Sequence, residues 1–476
     1  MDQQLTPLFQ ALKQFTKNSP VSLHVPGHKN GTIFPEKASD FYNEILKLDM
    51  TELTGLDDLH APEGPIAEAE RLAADFFQAE HTYFLVGGST AGNLAMIMAA
   101  CSCRDKVIVQ RNSHKSIMNG LELRGANPIF ISPAYEESVG RFTNPEQDSL
   151  LEAFKRHPDA KAVVLTYPDY FGGTYPLKEM IELAHDYQIP VLVDEAHGVH
   201  FSLGNPFPAS AISLGADVVV QSAHKMAPAM TMASFLHHNS SLVSRRRLSH
   251  YLQLLQSSSP SYPLMASLDI ARAFLATMPR QDVDAVMKSV EEVKRLFEDS
   301  ENWSIVPAED PLKITLHVKH SANEVAKLFE AQNIYPELQT DNQILFIHGL
   351  SPFSQTGTLK KAVKTVNEQL KNSRMHDTID IVPFLTGLES ITELAIPYAK
   401  MDQLETRHVP ITEAAGHIAA EAVIPYPPGI PLILKGERIK EKQLEHITQL
   451  QGNGVRLQQR DPERVAVFIG STEGEE

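Results

Sequence analysis

Asp194 and Lys225 each follow a short apolar run within IPVLVDEAHGVHFSLGNPFPASAISLGADVVVQSAHKMAP, residues Ile189 to Pro228. The first run, Val-Leu-Val after Pro190, is continuous, β-branched and bounded by acidic and glycine signals, which predicts a buried parallel strand with Asp194 at its carboxyl end. The second, Ala216 to Val220, ends in Gln221 and Ser222 and leads to His224 and Lys225. In an open α/β sheet, ligands bind in the crevice beyond the strand carboxyl ends, so the two runs are expected to deliver an acid and an amine to one place. That pair suits pyridoxal 5'-phosphate chemistry. A lysine amine captures the cofactor aldehyde as a Schiff base, and an aspartate keeps the pyridine nitrogen protonated so that the ring accepts electrons. Taken singly, Asp194 reads as a helix cap and Lys225 as a solvated loop lysine. The pair carries the expectation.

The elements upstream fit a cofactor phosphate. His81 to Val86 reads as a strand, Gly87-Gly-Ser-Thr-Ala-Gly92 as a tight turn and Asn93 to Ala100 as a helix, an arrangement that turns backbone N–H groups and hydroxyls toward an anion. A further strand, Lys106 to Gln110, runs into Arg111-Asn-Ser-His114-Lys-Ser116. Ala162 to Tyr167 continues the strand and helix alternation, with Pro168-Asp-Tyr-Phe-Gly-Gly173 as its loop. Such alternation predicts a doubly wound, mainly parallel sheet.

D-E-A-H-G-V-H followed by S-x-H-K resembles the fold-type I, pyridoxal-phosphate-dependent ornithine/lysine/arginine decarboxylase family. Within it the chain looks most like the shorter bacterial arginine or lysine decarboxylase-like members, which lack the additional N-terminal domain of the large inducible enzymes. The resemblance extends over nearly the whole chain. H-x-P-G-H-K-x-G at His24 to Gly31, D-L-H-x-P-x-G-x-I from Asp58, N-x-H-K-S at Asn112 to Ser116 and Y-P-P-G-I-P from Tyr426 all have counterparts in the family. It implies α-decarboxylation of arginine or lysine, or of ornithine, to the corresponding amine and carbon dioxide.

The resemblance also assigns residues. Lys225, Asp194, His224 and His114 are implied as catalytic. Gly88, Ser89 and Thr90 form the phosphate cradle, with Ser222 and His224 from the other side; His114 stacks on the ring, Ala196 packs against it, and His197 completes the cofactor set. Gln256 to Tyr262 is similar to the segment that crosses a dimer interface, which implies a homodimer or higher homo-oligomer. One departure stands in the C-terminal E-A-x-G-R-I motif, where His417 replaces arginine. Glu413 or Glu421 could attract a substrate's distal cation, although exposed helix carboxylates are the commoner case. An aminotransferase or carbon–sulfur lyase would use the same Asp194 and Lys225, and a catalytically weak regulatory protein could also bind the cofactor. The Y-P-P-G-I-P string argues against the former and the intact Asp194, His224 and Lys225 set against the latter.

Composition narrows the class. Forty-two percent of the 476 residues are hydrophobic, enough for substantial cores, and the length suits several domains. We expect an N-terminal segment (1–30), a cofactor-binding large domain (31–285), a smaller α/β domain (286–395) and a C-terminal α+β domain (396–476). Apolar stretches are too short for a membrane helix and the polar start lacks a signal peptide's apolar segment, so a cytoplasmic location is expected. The net charge of −17 disfavours nucleic acid and favours cationic small molecules. Cys101 and Cys103 are too few for a disulfide framework or a thiolate metal site. His24 and His28 are four apart, but Pro26 and Gly27 between them oppose a helical metal pair, and no metal is expected.

Overall fold

A computed structural model describes residues 1–139, 141–298, 300–340, 342–371, 389–425, 430–452, 457–458, 461 and 463–469. Along the chain come α1 (Pro7–Lys17), α2 (Glu36–Leu46), α3 (Pro65–Phe77), β1 (His81–Leu85), α4 (Gly88–Ala100), β2 (Lys106–Gln110) and α5 (Lys115–Arg124). Then follow β3 (Asn127–Ile131), β4 (Pro133–Glu136), β5 (Arg141–Pro145), α6 (Gln147–Arg156), β6 (Ala162–Thr166), α7 (Leu177–Asp186), β7 (Val191–Asp194), β8 (Val218–Gln221), the single-turn α8 (Ala223–Met226) and β9 (Ser234–His238). The chain folds into two compact units, residues 1–100 with 177–279 and residues 101–176 with 280–476.

In the first unit the strands lie in the order β1-β9-β8-β7. β7 and β8 are parallel, with Asp194 opposite Val220, and β9 and β1 continue antiparallel. Every residue of β7, β8 and β9 is buried, which is why Val191–Val193 and Val218–Val220 read as unbroken apolar runs rather than alternating ones. α4 packs on this layer through Gly92, where an added Cβ would come within 2.6 Å of Leu85 Cδ1 and 3.0 Å of Val220 Cγ1. α3 begins at Pro65, as its fixed φ favours, and Asp57 closes its start.

The second unit carries β6-β2-β3, all parallel, with Ile391–Glu393 antiparallel on β3. It also holds a four-stranded antiparallel sheet in the order Trp303–Val306, Lys313–Val318, Gln343–Ile347, Leu338–Gln339, whose core includes Phe297, Trp303, Leu316, Phe329 and Ile344. A separate apolar cluster, with Val409, Ile433, Ile447 and Val467, forms the C-terminal core. Among the described residues no helix is long and apolar enough to cross a membrane.

One local expectation is corrected. The helix expected from Asn93 starts at Gly88, whose φ of +73° turns the chain so that Ser89 to Gly92 already form the first turn. Farther on, the helices Tyr262–Ala276 and Arg280–Glu298 are separated where Pro279 cannot continue the ladder. The two-residue strand Leu338–Gln339 pairs with Leu345 and Ile344.

Candidate functional site

The carboxyl ends of β7 and β8 carry the reactive pair in the first unit. Asp194 is the last residue of β7 and is 3% exposed. Its Oδ2 accepts from Asn93 Nδ2 at 2.9 Å and its Oδ1 from the Ala196 N–H at 3.2 Å. Asn93, on α4, is itself buried, so a neutral amide donor holds a carboxylate out of water. Beyond β8 the chain turns through Ser222 into α8, and the Lys225 N–H bonds the Ser222 carbonyl. The half-buried Lys225 places Nζ 3.0 Å from Nε2 of His197, from the loop after β7. His224 is anchored by its Nδ1, 3.2 Å from the Ala233 carbonyl.

The glycine turn meets the same strand end. Ser222 Oγ donates to Ser89 Oγ at 2.9 Å, tying the first turn of α4 to the residue after β8. Gly88, Ser89 and Thr90 occupy the amino end of a thirteen-residue helix, where backbone N–H groups lack intrahelical acceptors and the helix dipole favours an anion. Glu195, next to Asp194, points elsewhere: it is fully buried, accepts from the Ala211 N–H and the Gln221 amide, and burial pushes its carboxyl up to about 8.

Asp194, Ala196, His197, Ser222, His224, Lys225 and the Gly88 to Thr90 turn all lie in this unit. His114 belongs to the second unit, where it N-caps α5: its Nδ1 is 2.8 Å from Ser116 Oγ and accepts from the Ser116 N–H at 3.2 Å. Asn93 is the partner that sequence reasoning missed. Its only signal was its position one turn after Ser89, on the face of α4 that small residues allow to approach the sheet.

The outlying motifs have structural partners. The Asp57 carboxylate accepts N–H bonds from Asp58, Glu63, Gly64, Ile66 and Ala67. Burial pulls its pKa up, but these donors outweigh it and hold the group below the ordinary range. His28 pairs through Nε2 with Asp49 at 3.1 Å and through Nδ1 with the Gly31 N–H. Gln256 braces β1 by accepting from the Val86 N–H and donating to the Phe84 carbonyl. Glu421 accepts from the Ala466 N–H, whereas Glu413 is exposed. Tyr426 and Gly429 of the proline-rich string lie outside the described residues.

The major-domain model of the Orn/Lys/Arg decarboxylases matches residues 6–317, and their C-terminal-domain model matches residues 385–455. The chain belongs to the Orn/Lys/Arg decarboxylase family. This decarboxylase-family chain is 42% identical to the uncharacterized protein YaaO of Bacillus subtilis, with 94% of each chain covered. It is 37% identical to the arginine decarboxylase of the same organism, again over 94% of each. The crystal structure of the Francisella novicida lysine decarboxylase LdcF shares its fold, with a TM-score of 0.80 at 20% identity over 98% of this chain and 81% of that one.

Proposed function

We propose that the protein is a pyridoxal-phosphate-dependent decarboxylase that converts arginine or lysine, or by the same chemistry ornithine, to its amine. The observation that carries the reading is the joint presence, beyond two parallel strands, of the Lys225 amine within 3.0 Å of His197 and a buried Asp194 carboxylate held by Asn93. The donor set fits the cofactor: an amine for its aldehyde, a buried carboxylate for its ring nitrogen, and a helix start with two hydroxyls for its phosphate.

In this reading Lys225 Nζ would hold the cofactor through its aldehyde carbon. Asp194 holds a proton at the ring nitrogen. The N–H groups of Gly88, Ser89 and Thr90 bind the phosphate with the hydroxyls of Ser89 and Ser222, and the small side chain of Ala196 lets the flat ring lie close. His197 orients Lys225 Nζ. When bound, the cofactor supplies an electron sink for the pair released as the carbon–carboxylate bond breaks. Lys225 or His224 then returns a proton to the α-carbon. His114 enters through the sequence resemblance, as the residue that stacks on the ring. Arginine is favoured over lysine because a relative 37% identical over nearly the whole chain is named an arginine decarboxylase. The working form in this reading is a homodimer or larger homo-oligomer, in keeping with the exposed apolar side chains of Val21, Leu23, Val25 and Phe41.

The purified protein, supplied with pyridoxal phosphate and each basic amino acid in turn, is expected to release carbon dioxide and one amine, agmatine from arginine or cadaverine from lysine. Borohydride should fix the cofactor on the peptide containing Lys225. Keto-acid formation without carbon dioxide, or no product from any basic amino acid, overturns the reading.

A further inference from the structure

Behind the candidate site, four buried polar side chains form a continuous hydrogen-bonded row across the first unit's strands. Glu195 follows β7, Gln221 ends β8, His237 lies on β9 and Thr82 on β1. Glu195 Oε2 is 2.6 Å from Gln221 Nε2, Gln221 Oε1 is 3.0 Å from His237 Nε2, and His237 Nδ1 is 2.9 Å from Thr82 Oγ1. Glu195, Gln221 and His237 are 0% exposed and Thr82 3%. The hydrogen bonds to Glu195 come from an amide and a backbone N–H, not from lysine or arginine. Gly198 is pressed against it, since a Cβ there would lie 2.6 Å from Glu195 Cγ.

We propose that this row is a positioning chain: it locks together the strand ends that bear Asp194 and Lys225, and one proton on Glu195 sets the direction of all its hydrogen bonds. The proposal builds on the functional reading above for what the strand ends hold. Glu195 immediately follows Asp194, and its N–H bonds the Val220 carbonyl. Gln221 precedes Ser222, whose carbonyl receives the Lys225 N–H. A shift in the Glu195–Gln221 contact therefore moves both functional groups.

The direction follows from what each group can donate. His237 packs against the rings of Phe77, at 4.5 Å, and Phe235, and burial lowers its pKa to about 3, so it is neutral and carries one ring proton. With Glu195 ionised, Thr82 donates to His237 Nδ1, His237 Nε2–H to the Gln221 oxygen, and the Gln221 amide to the carboxylate. With Glu195 protonated, its O–H donates to the Gln221 oxygen, the amide turns over to donate to Nε2, and Nδ1–H donates to Thr82. A neutral carboxyl that kept its carbonyl oxygen toward the Gln221 amide would leave its own O–H without an acceptor in the row, and an unmet buried donor is costly. Burial, which pushes Glu195 up to about 8, places the changeover near that pH. The other ionisable groups on the packed elements are Asp194, His197 and His200 after β7, Asp217, His224 and Lys225 flanking β8, His81 and Tyr83 on β1, His238 on β9, and Glu68, Glu70, Arg71 and Asp75 on α3, where Glu70 accepts from the Phe84 N–H. None of them belongs to the row.

The test is a titration of the histidine ring nitrogens in the apo protein by nitrogen-15 NMR, with the His237 signals assigned through His237→Gln. The proton is expected on Nδ1 below about pH 8 and on Nε2 above it. Glu195→Gln, whose oxygen is held by the Ala211 N–H so that its NH2 faces Gln221, should keep it on Nδ1 throughout. Thr82→Val should move the pH of the swap and Thr82→Ser should leave it in place, a comparison that decides the matter if Glu195→Gln does not fold. A single tautomer at every pH in the native protein, or a swap unmoved by Glu195→Gln or Thr82→Val, overturns the chain. In the protein loaded with pyridoxal phosphate, the native absorbance should show an inflection near the same pH that Glu195→Gln lacks, and coincident curves overturn the positioning role. A tautomer swap in a protein that takes up no pyridoxal phosphate supports the chain and sinks the cofactor reading instead.

Discussion

Lys225 Nζ lies 3.0 Å from Nε2 of His197, so the amine at the end of β8 and the imidazole after β7 meet across two parallel strands. The contact separates two roles that one variant would blur. Lys225→Ala is expected to abolish the borohydride-fixed adduct and lower decarboxylation at least about a thousandfold, because the covalent attachment is gone. His197→Ala keeps the amine and loses only its neighbour, so the adduct should survive while kcat falls roughly ten- to a hundredfold. Peptide mapping beside steady-state kinetics checks both, and an undiminished rate in Lys225→Ala would remove the basis of the reading.

Asn93 presents its amide to Asp194 at 2.9 Å. Asn93→Ala leaves a buried carboxylate oxygen without that donor and should cost about 1–3 kcal/mol of stability. The expected functional loss is in cofactor affinity, roughly tenfold, because Asp194 is less firmly held. Asn93→Asp sets a second carboxylate against the first and should be worse on both counts. Urea unfolding and a pyridoxal phosphate titration measure the two effects. Equal affinities in all three proteins would assign Asn93 to packing alone.

What could be read from the sequence follows from what each residue does to a pattern. Val191 to Val193 and Val218 to Val220 are wholly buried, so they stand out as apolar runs, and the polar residue after each marks a strand end. Asp194 and Lys225 were therefore visible. Asn93 was not, because an amide among small residues on a buried helix looks like core, and only the tertiary approach of α4 to β7 gives it a partner. Glu195 was hidden for the opposite reason: an acid beside an acid suggests solvent, whereas its oxygens meet Gln221 and Ala211 in the interior. Asp57 stands one residue before the motif that begins at Asp58, and it closes the start of α3. Spacing alone could not give the weight of its five backbone donors. The interleaving of residues 1–100 with 177–279 depends on contacts far apart in sequence, which periodicity does not report.

Two buried glutamates give the protein a pH-dependent stability. Burial pushes Glu70 up to about 8 from an ordinary value of 4.5, and Glu195 likewise. A carboxyl with a raised folded-state pKa is favoured in its neutral form, so its contribution is fully present below about 4.5 and is lost as pH rises through about 8. The Tm should fall between those limits. Glu70→Gln keeps an oxygen for the Phe84 N–H and cannot ionise. It should flatten part of that slope, on the order of a few kcal/mol across the window. Calorimetric scans from about pH 5 to pH 9 test this, and parallel curves for the two proteins would refute it.

Arg111 closes β2 and fastens the C-terminal region within the second unit. Its guanidinium donates to the carbonyls of Pro431 and Leu432 at 2.9 and 3.0 Å and to Glu437 Oε2 at 2.9 Å, with only 4% of the side chain exposed. Lys115 Nζ donates to Gln458 Oε1, and the Gln458 N–H bonds the Ile424 carbonyl. The stretch carrying His114 thus contacts Pro431 and Leu432 directly and Ile424 through Gln458. Arg111→Met removes three donated hydrogen bonds and leaves the half-buried Glu437 to the Leu434 N–H and the Gln443 amide without a charged partner, so a loss of about 3 kcal/mol is expected. Adding Glu437→Gln removes the stranded charge and should recover part of it, because an apolar or neutral pair in the interior avoids the desolvation of an unpaired ion. Urea unfolding of the single and double variants measures the coupling. Additive losses would show that the ion pair itself contributes nothing and that the contacts to the Pro431 and Leu432 carbonyls carry the effect.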